Sequence, residues 1–138
     1  MKIKFFAPLD EIPRTTSQQK GVIIRGGQPR FYTKGKVQAV KDLYFVLLKV
    51  HRPREPLAGP LRLRVSFYYP VRKPHRNGEP KITRPDTDNM IKLLKDTATD
   101  CGYWKDDAQI VDERITKSYA DPSGIFFDVE QIELDGGL

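Results

Sequence analysis

The chain has 138 residues, of which 38% are hydrophobic and 30% charged, and its formal net charge is +6. This length predicts a single domain over residues 1–138 and is too short for two independent hydrophobic cores. No apolar run approaches the length of a membrane span, the N-terminal apolar stretch is too short for a signal peptide, and one cysteine excludes a disulfide framework. We therefore expect a cytoplasmic protein with no membrane contact.

The charge is divided unevenly along the chain. Residues 1–80 contain 17 Lys and Arg against 5 Asp and Glu, a net charge of +12, whereas residues 81–138 contain 7 against 13, a net charge of −6. A basic region attracts the phosphate backbone of a nucleic acid, and an acidic region can hold metal cations. The division is typical of an enzyme acting on nucleic acid, although an asymmetric solvated surface would have the same counts.

The first 34 residues predict short strands joined by polar loops. Residues 2–8 alternate weakly and predict a strand, and residues 22–24 are β-branched and precede turn-forming residues. The basic side chains of this region are candidate DNA contacts, and a surface loop or a half-buried strand explains them equally well. These candidates are Arg14, Lys20, Arg30 and Lys34.

Residues 36–51 predict a helix that is apolar most of the way round. Its apolar positions at helical spacing are Val37, Val40, Tyr44, Leu47 and Val50. Such a helix lies either in a core or in a subunit interface, and a core is the commoner explanation.

Residues 61–68 alternate apolar and polar side chains and are the clearest strand pattern in the sequence. The loop that follows, residues 71–80, is basic and leads into the acidic region, so Arg72, Lys73 and Arg76 are candidates for guiding DNA. His75 lies among these cations and is interpreted as a polar loop residue rather than a metal ligand.

The acidic region begins with a predicted helix over residues 86–101, which Gly102 ends. Its apolar positions recur at helical spacing and are Met90, Leu94, Ala98 and Cys101. Asp86 and Asp88 lie at its start, Lys92 follows one turn later, and a second acidic pair, Asp106 and Asp107, follows its end.

These acidic pairs favour a metal site. A helix that packs back onto the next strand could bring Asp107 beside Asp86 and Asp88, and a Mg²⁺ ion would relieve their mutual repulsion. Lys92 could then neutralise negative charge that develops on a phosphate. The alternative is a pair of capping aspartates, a helical ion pair and a solvated turn.

The last elements are two predicted strands, residues 108–119 and 125–134, which we expect to pair as a hairpin across a turn at residues 121–124. The element order indicates a single α+β domain with a mixed or antiparallel β-sheet and two main helices. The sequence has no P-loop, GxGxxG, HExxH or nucleophile elbow, which excludes the enzyme classes that depend on them.

The run D-x-D-N-x-x-K, followed after a helix by G-Y-W-K-D-D-A-Q-I-V-D, resembles the RusA family of Holliday junction resolvases. The resemblance implies a RusA-like fold and a Mg²⁺-dependent homodimer, with Mn²⁺ as a possible substitute, that nicks four-way DNA junctions symmetrically. It implies a metal site at Asp86, Asp88 and Asp107 and a catalytic Lys92, and leaves the role of Asp106 open.

The leading hypothesis is therefore a structure-selective DNA endonuclease of recombination and repair. Its rival is a non-enzymatic DNA- or RNA-binding protein of phage type, in which the carboxylates only cap a helix and pair with lysines. The broadly apolar helix over residues 37–50 is a candidate for part of the homodimer interface, because its exposed remainder would favour aggregation.

Overall fold

A four-stranded sheet and two helices frame the molecule in the computed structural model, which describes residues 1–14, 21–25, 28–32 and 35–134. The elements in chain order are β1 (Lys2–Pro8), β2 (Gly21–Arg25), β3 (Gln28–Tyr32), α1 (Gly35–Lys49), β4 (Leu61–Tyr69), α2 (Thr87–Cys101), a short 3-10 helix (Asp107–Gln109), β5 (Ile110–Tyr119) and β6 (Gly124–Gln131). The predicted DNA contacts Lys20 and Lys34 lie outside the described residues, as does the side chain of Arg30.

The main sheet has the strand order β1-β6-β4-β5. Strand β6 is antiparallel to both of its neighbours, and β4 is parallel to β5, so the sheet is mixed and the predicted α+β class is confirmed. Strands β2 and β3 form a separate antiparallel pair.

The predicted hairpin between the last two strands is wrong, because β4 lies between β5 and β6. The connection crosses the end of β4, where the backbone N–H of Ala120 donates to the carbonyl of Tyr69 at 2.9 Å. The two strands differ in burial: β6 is mostly buried along its length, whereas β5 is mostly exposed or half-buried. A strand with that much apolar surface is stabilised by a central position, and the polar β5 tolerates the edge.

The core lies on the face of the sheet that carries the inward side chains of β4. Leu61, Leu63, Val65 and Phe67 are all at most 1% exposed, as the alternating pattern predicts. Side chains of α1 and α2 belong to the same buried cluster. Burial of a large apolar side chain stabilises the fold by about 1.5–3 kcal/mol relative to exposure. The buried cluster contains side chains from both ends of α2, Met90 and Cys101, so packing against the sheet fixes the position of both ends.

The core interpretation of α1 is confirmed. Its buried side chains are Val37, Val40, Tyr44 and Leu48. Val50, predicted on the same face, is 76% exposed because the helix ends at Lys49, and Val46 is 62% exposed. Each described helix is too short and too polar to cross a membrane.

Helix α2 ends at Gly102, whose φ of 91° is the left-handed conformation that favours glycine. The chain beyond it is anchored in the core: the Tyr103 hydroxyl donates to the carbonyl of Leu48 at 2.6 Å, and Trp104 Nε1 donates to Thr99 Oγ1 at 2.7 Å. Cys101 is buried in the core, as predicted.

Candidate active site

The start of α2 presents two carboxylates to solvent. Asp86 occupies the N-cap position, but its side chain accepts no capping hydrogen bond, and only its backbone carbonyl accepts from the N–H of Met90, at 3.0 Å. Asp88 lies in the first turn, and both side chains are exposed. The alternative interpretation of Asp86 as a helix cap is therefore not supported, and its carboxylate is available to a ligand.

Lys92 is exposed one helical turn after Asp88. Within the described part of the chain, it forms no ion pair with Asp88 or with Asp96. The lysine of α2 that does form an ion pair is Lys95, whose Nζ lies 3.0 Å from Glu113 Oε1 on β5. Lys92 thus presents its ammonium group on the same exposed surface of the helix as Asp88.

The two adjacent acids after α2 have different surroundings. The Asp106 carboxylate accepts from the backbone N–H of Ala108 at 2.8 Å and caps the short 3-10 helix. Gln109 completes the capping box by accepting from the N–H of Asp106 at 3.1 Å, and it also donates to the carbonyl of Leu57 at 3.0 Å. Asp106 therefore has a structural role, whereas Asp107 is half-exposed and caps nothing.

Asp107 lies at the opposite end of α2 from Asp86. Strand β5 runs back along the helix, with Glu113 beside Lys95 near its middle and Lys117 beside Pro85 at its start. The residues before β5 consequently lie near the C-terminal end of a 15-residue helix, which is about 22 Å long at 1.5 Å per residue. Among the described residues, no three His, Cys, Asp or Glu side chains are placed to hold a metal. The expected meeting of Asp107 with Asp86 and Asp88 is not observed within one chain.

A cleft of about 910 Å³ borders Asp86. The cations that line it are Arg14, Arg72, Lys81 and Arg84. The first two were predicted as DNA contacts, whereas the predicted contacts Lys73 and Arg76 are exposed on the neighbouring loop and do not line the cleft. Glu11 also lines the cleft and pairs with Arg72. The remaining cations, Arg14, Lys81 and Arg84, give a surface that attracts phosphate next to an exposed carboxylate that can hold a metal ion.

Two side chains of the basic loop are held by neighbours. Arg72 forms an ion pair with Glu11, and its hydrogen bond lowers the pKa of the Glu11 carboxyl. The His75 ring stacks on Tyr119 with 4.0 Å between ring centroids, and its Nδ1 lies 2.5 Å from Glu79 Oε2. His75 therefore attaches the loop to the end of β5, and its place in the loop is as predicted.

Lys117 ties β5 to the segment just before Asp86. Its Nζ donates to the carbonyls of Thr83 at 2.5 Å and Pro85 at 2.7 Å. Burial lowers the pKa of Lys117, Lys81 adds to this effect, and the charge of Asp86 opposes it. The lysine thus supports the backbone that positions Asp86 and adds positive charge beneath the cleft.

The chain is similar to known endonucleases. The family model described as endodeoxyribonuclease RusA matches residues 11–130. The chain belongs to the RusA family. A crossover junction endodeoxyribonuclease of Lactococcus phage r1t is 38% identical over 113 residues, which cover 80% of this chain and 84% of the relative. The RusA of Escherichia coli strain K12 is 31% identical over 93 residues, which cover 67% of this chain and 69% of that protein.

Three residues of this RusA family member were missed from the sequence: Lys81, Lys117 and Gln109. Lys81 has its Nζ 4.7 Å from the ring centroid of Tyr69 at the wall of the cleft. The position of Lys81 was not predictable from the sequence. The segment before α2 has no strand pattern that would indicate which way its side chains point. Lys117 had a usable signal, since it lies two residues after Ile115 and therefore on the same face of β5, towards α2.

Proposed function

We propose that this RusA family protein is a Mg²⁺-dependent endonuclease that binds four-way DNA junctions and resolves them by paired symmetric nicks in recombination and repair. The observation that carries the proposal is the uncapped Asp86 carboxylate beside Asp88, at the edge of a cleft lined by four cations. The crossover junction activity in the names of the relatives supports the same substrate class. The enzyme would act on cytoplasmic DNA.

The donor chemistry of Asp86 and Asp88 fits Mg²⁺. This ion is commonly held by one or two carboxylates together with waters and substrate phosphate oxygens, and both side chains are exposed and free of capping contacts. When bound, Mg²⁺ or the substitute Mn²⁺ supplies a bound water of lowered pKa and polarises a phosphate oxygen. The residues of one chain thus account for two of the three proposed ligands.

The cations of the cleft bind and orient the DNA backbone. Arg14, Lys81 and Arg84 lie where a phosphate approaching Asp86 would pass. Lys92, one turn into the helix, stabilises negative charge that develops on the phosphate during cleavage. This interaction is stronger in the transition state than in the bound substrate. These roles divide the basic residues into those that bind DNA and one that accelerates cleavage.

Asp107 supports the proposal of a homodimer. One chain holds it at the far end of α2 from Asp86. In a two-fold dimer whose α2 helices run antiparallel, the partner subunit's Asp107 would approach Asp86 and Asp88 of this chain, and the reciprocal contact would form a second site. Two such sites match the two strands that must be cut. Of the predicted α1 interface, Val46 and Val50 remain exposed for contact with a partner.

The test uses a synthetic immobile four-way junction, a linear duplex of the same sequence and a fork, each incubated with and without Mg²⁺. We expect paired nicks in the junction in the presence of Mg²⁺ and little cutting of the duplex. Binding without any metal-dependent nicking would instead favour the non-enzymatic binding protein and contradict the proposal.

A further inference from the structure

The most exposed large apolar side chain in the described part of the chain is Ile82, at 93% exposure. The next is Val50, at 76%. Single exposed apolar residues are ordinary on protein surfaces, so the exposure of Ile82 has meaning only together with its backbone and its neighbours.

The backbone on both sides of Ile82 is fastened to β5. The N–H of Lys81 donates to the carbonyl of Lys117 at 3.1 Å. The Lys117 Nζ then donates to the carbonyl of Thr83 at 2.5 Å. These hydrogen bonds restrain the backbone on both sides of Ile82, and its side chain points into solvent from that restrained backbone.

The neighbours of Ile82 are those of a DNA-binding surface. Lys81 and Arg84, one residue before it and two after it, both line the cleft. Asp86 follows four residues later. A protein partner seated on Ile82 would have to compensate these cations, whereas a nucleic acid supplies the opposite charge along its whole backbone.

We propose that Ile82 recognises the branch point of DNA by contacting an exposed base-pair face. Base pairs inside a linear duplex are stacked on both sides, but pairs at a branch point can separate and expose an apolar face. Apolar side chains inserted at such steps bind without reading sequence. The proposal rests on the proposed function, because the phosphate cleft would hold the DNA while Ile82 distinguishes a branch from a continuous duplex.

The test compares Ile82→Ser with Ile82→Leu, both in an Asp88→Asn background so that no cutting occurs. Affinity is measured for a four-way junction and for a linear duplex, and 2-aminopurine at the branch point reports unstacking. We expect Ile82→Ser to weaken junction binding about tenfold, as loss of one apolar contact implies, to leave duplex binding unchanged and to reduce the fluorescence change. Ile82→Leu should retain both signals.

Leu134→Ser is the matched control, because Leu134 is also a highly exposed aliphatic residue, at 71% exposure, and the change should affect neither signal. Unchanged junction binding by Ile82→Ser, or equal losses for junction and duplex, would overturn the proposal. A shift of Ile82→Ser towards a smaller species in sedimentation would assign Ile82 to contact with a second copy and also overturn it. Failure of the wild-type protein to nick junctions would instead contradict the proposed function, since these binding measurements do not depend on cutting.

Discussion

Among single residues, the carboxylates at the two ends of α2 differ in what they contact. Asp106 is engaged by the N–H of Ala108, whereas Asp86 caps nothing and faces the cleft. A carboxylate that accepts a hydrogen bond from the backbone contributes to local stability. A carboxylate without such a hydrogen bond is available to bind a metal ion. Asp88 is also exposed, in the first turn of α2, so a comparison of Asp88 with Asp106 tests this difference.

Asp88→Asn should abolish nicking while junction binding is retained or becomes tighter, because the change removes a metal ligand and a charge that repels phosphate. Single-turnover cleavage and gel-shift affinity measure the two effects. Asp106→Asn is the control: asparagine is as good an N-cap as aspartate, so this variant should cut at close to the wild-type rate. Wild-type nicking by Asp88→Asn would refute the assignment.

Lys92→Ala should lower the single-turnover rate about 10²–10³-fold, the usual cost of removing one group that stabilises transition-state charge. Junction affinity should change much less, because Lys92 is proposed to act on developing charge rather than on the bound backbone. Lys95→Ala, on the same helix, serves as control, since Lys95 pairs with Glu113. Equal losses of rate and affinity in Lys92→Ala would reassign it to ordinary phosphate contact.

At the scale of elements, α2 and β5 together determine where the acidic side chains lie. The helix begins at the cleft and ends at Gly102, and β5 returns alongside it, so the acids before and after the helix are held apart. A change at the helix end should therefore affect stability without touching the residues at its start.

Gly102→Ala should lower the free energy of unfolding by about 1 kcal/mol, because an L side chain is strained at positive φ and the φ of Gly102 is 91°. A Cβ there would meet nothing within 4 Å, so backbone strain is the whole expected cost. Urea denaturation measures the change. Gly35→Ala has equal space without a positive φ and should cause no loss; a similar loss in both variants would exclude the conformational explanation.

At the scale of the whole molecule, the separation of Asp107 from Asp86 gives a test of the proposed dimer. If each metal site takes Asp88 from one chain and Asp107 from the other, a mixed dimer of Asp88→Asn and Asp107→Asn subunits contains one intact site. Neither variant alone contains any. Mixing the two inactive proteins should therefore restore single nicks in a junction, with few paired cuts.

The restored nicking is measured on a junction labelled on each strand in turn, after sedimentation has established a dimer at micromolar concentration. Mixing Asp88→Asn with Lys92→Ala is the control. Both residues lie on the same helix and belong to the same site, so each site of the mixed dimer lacks one of them. Absence of recovery in the first mixture, or paired cuts by a monomer, would contradict the shared site.

Features that depend on local periodicity were predictable from the amino-acid sequence. The alternation of β4, the helical spacing and glycine stop of α2, the burial of Cys101 and the acidic motif of the RusA family all lie in short stretches of chain. Such patterns follow from the repeat of 2 residues in a strand and 3.6 in a helix, so they can be read without knowledge of the fold.

The contacts between segments distant in sequence were not predictable and are seen in the folded chain. The tertiary structure inserted β4 between β5 and β6, brought Lys81 to the cleft and Lys117 to the segment before Asp86, and placed Asp107 at the far end of α2. These outcomes depend on which strand has enough apolar surface to occupy the centre of the sheet, and that is a competition among segments far apart in sequence. Local spacing carries no information about it, because the same residues satisfy their local pattern in either arrangement.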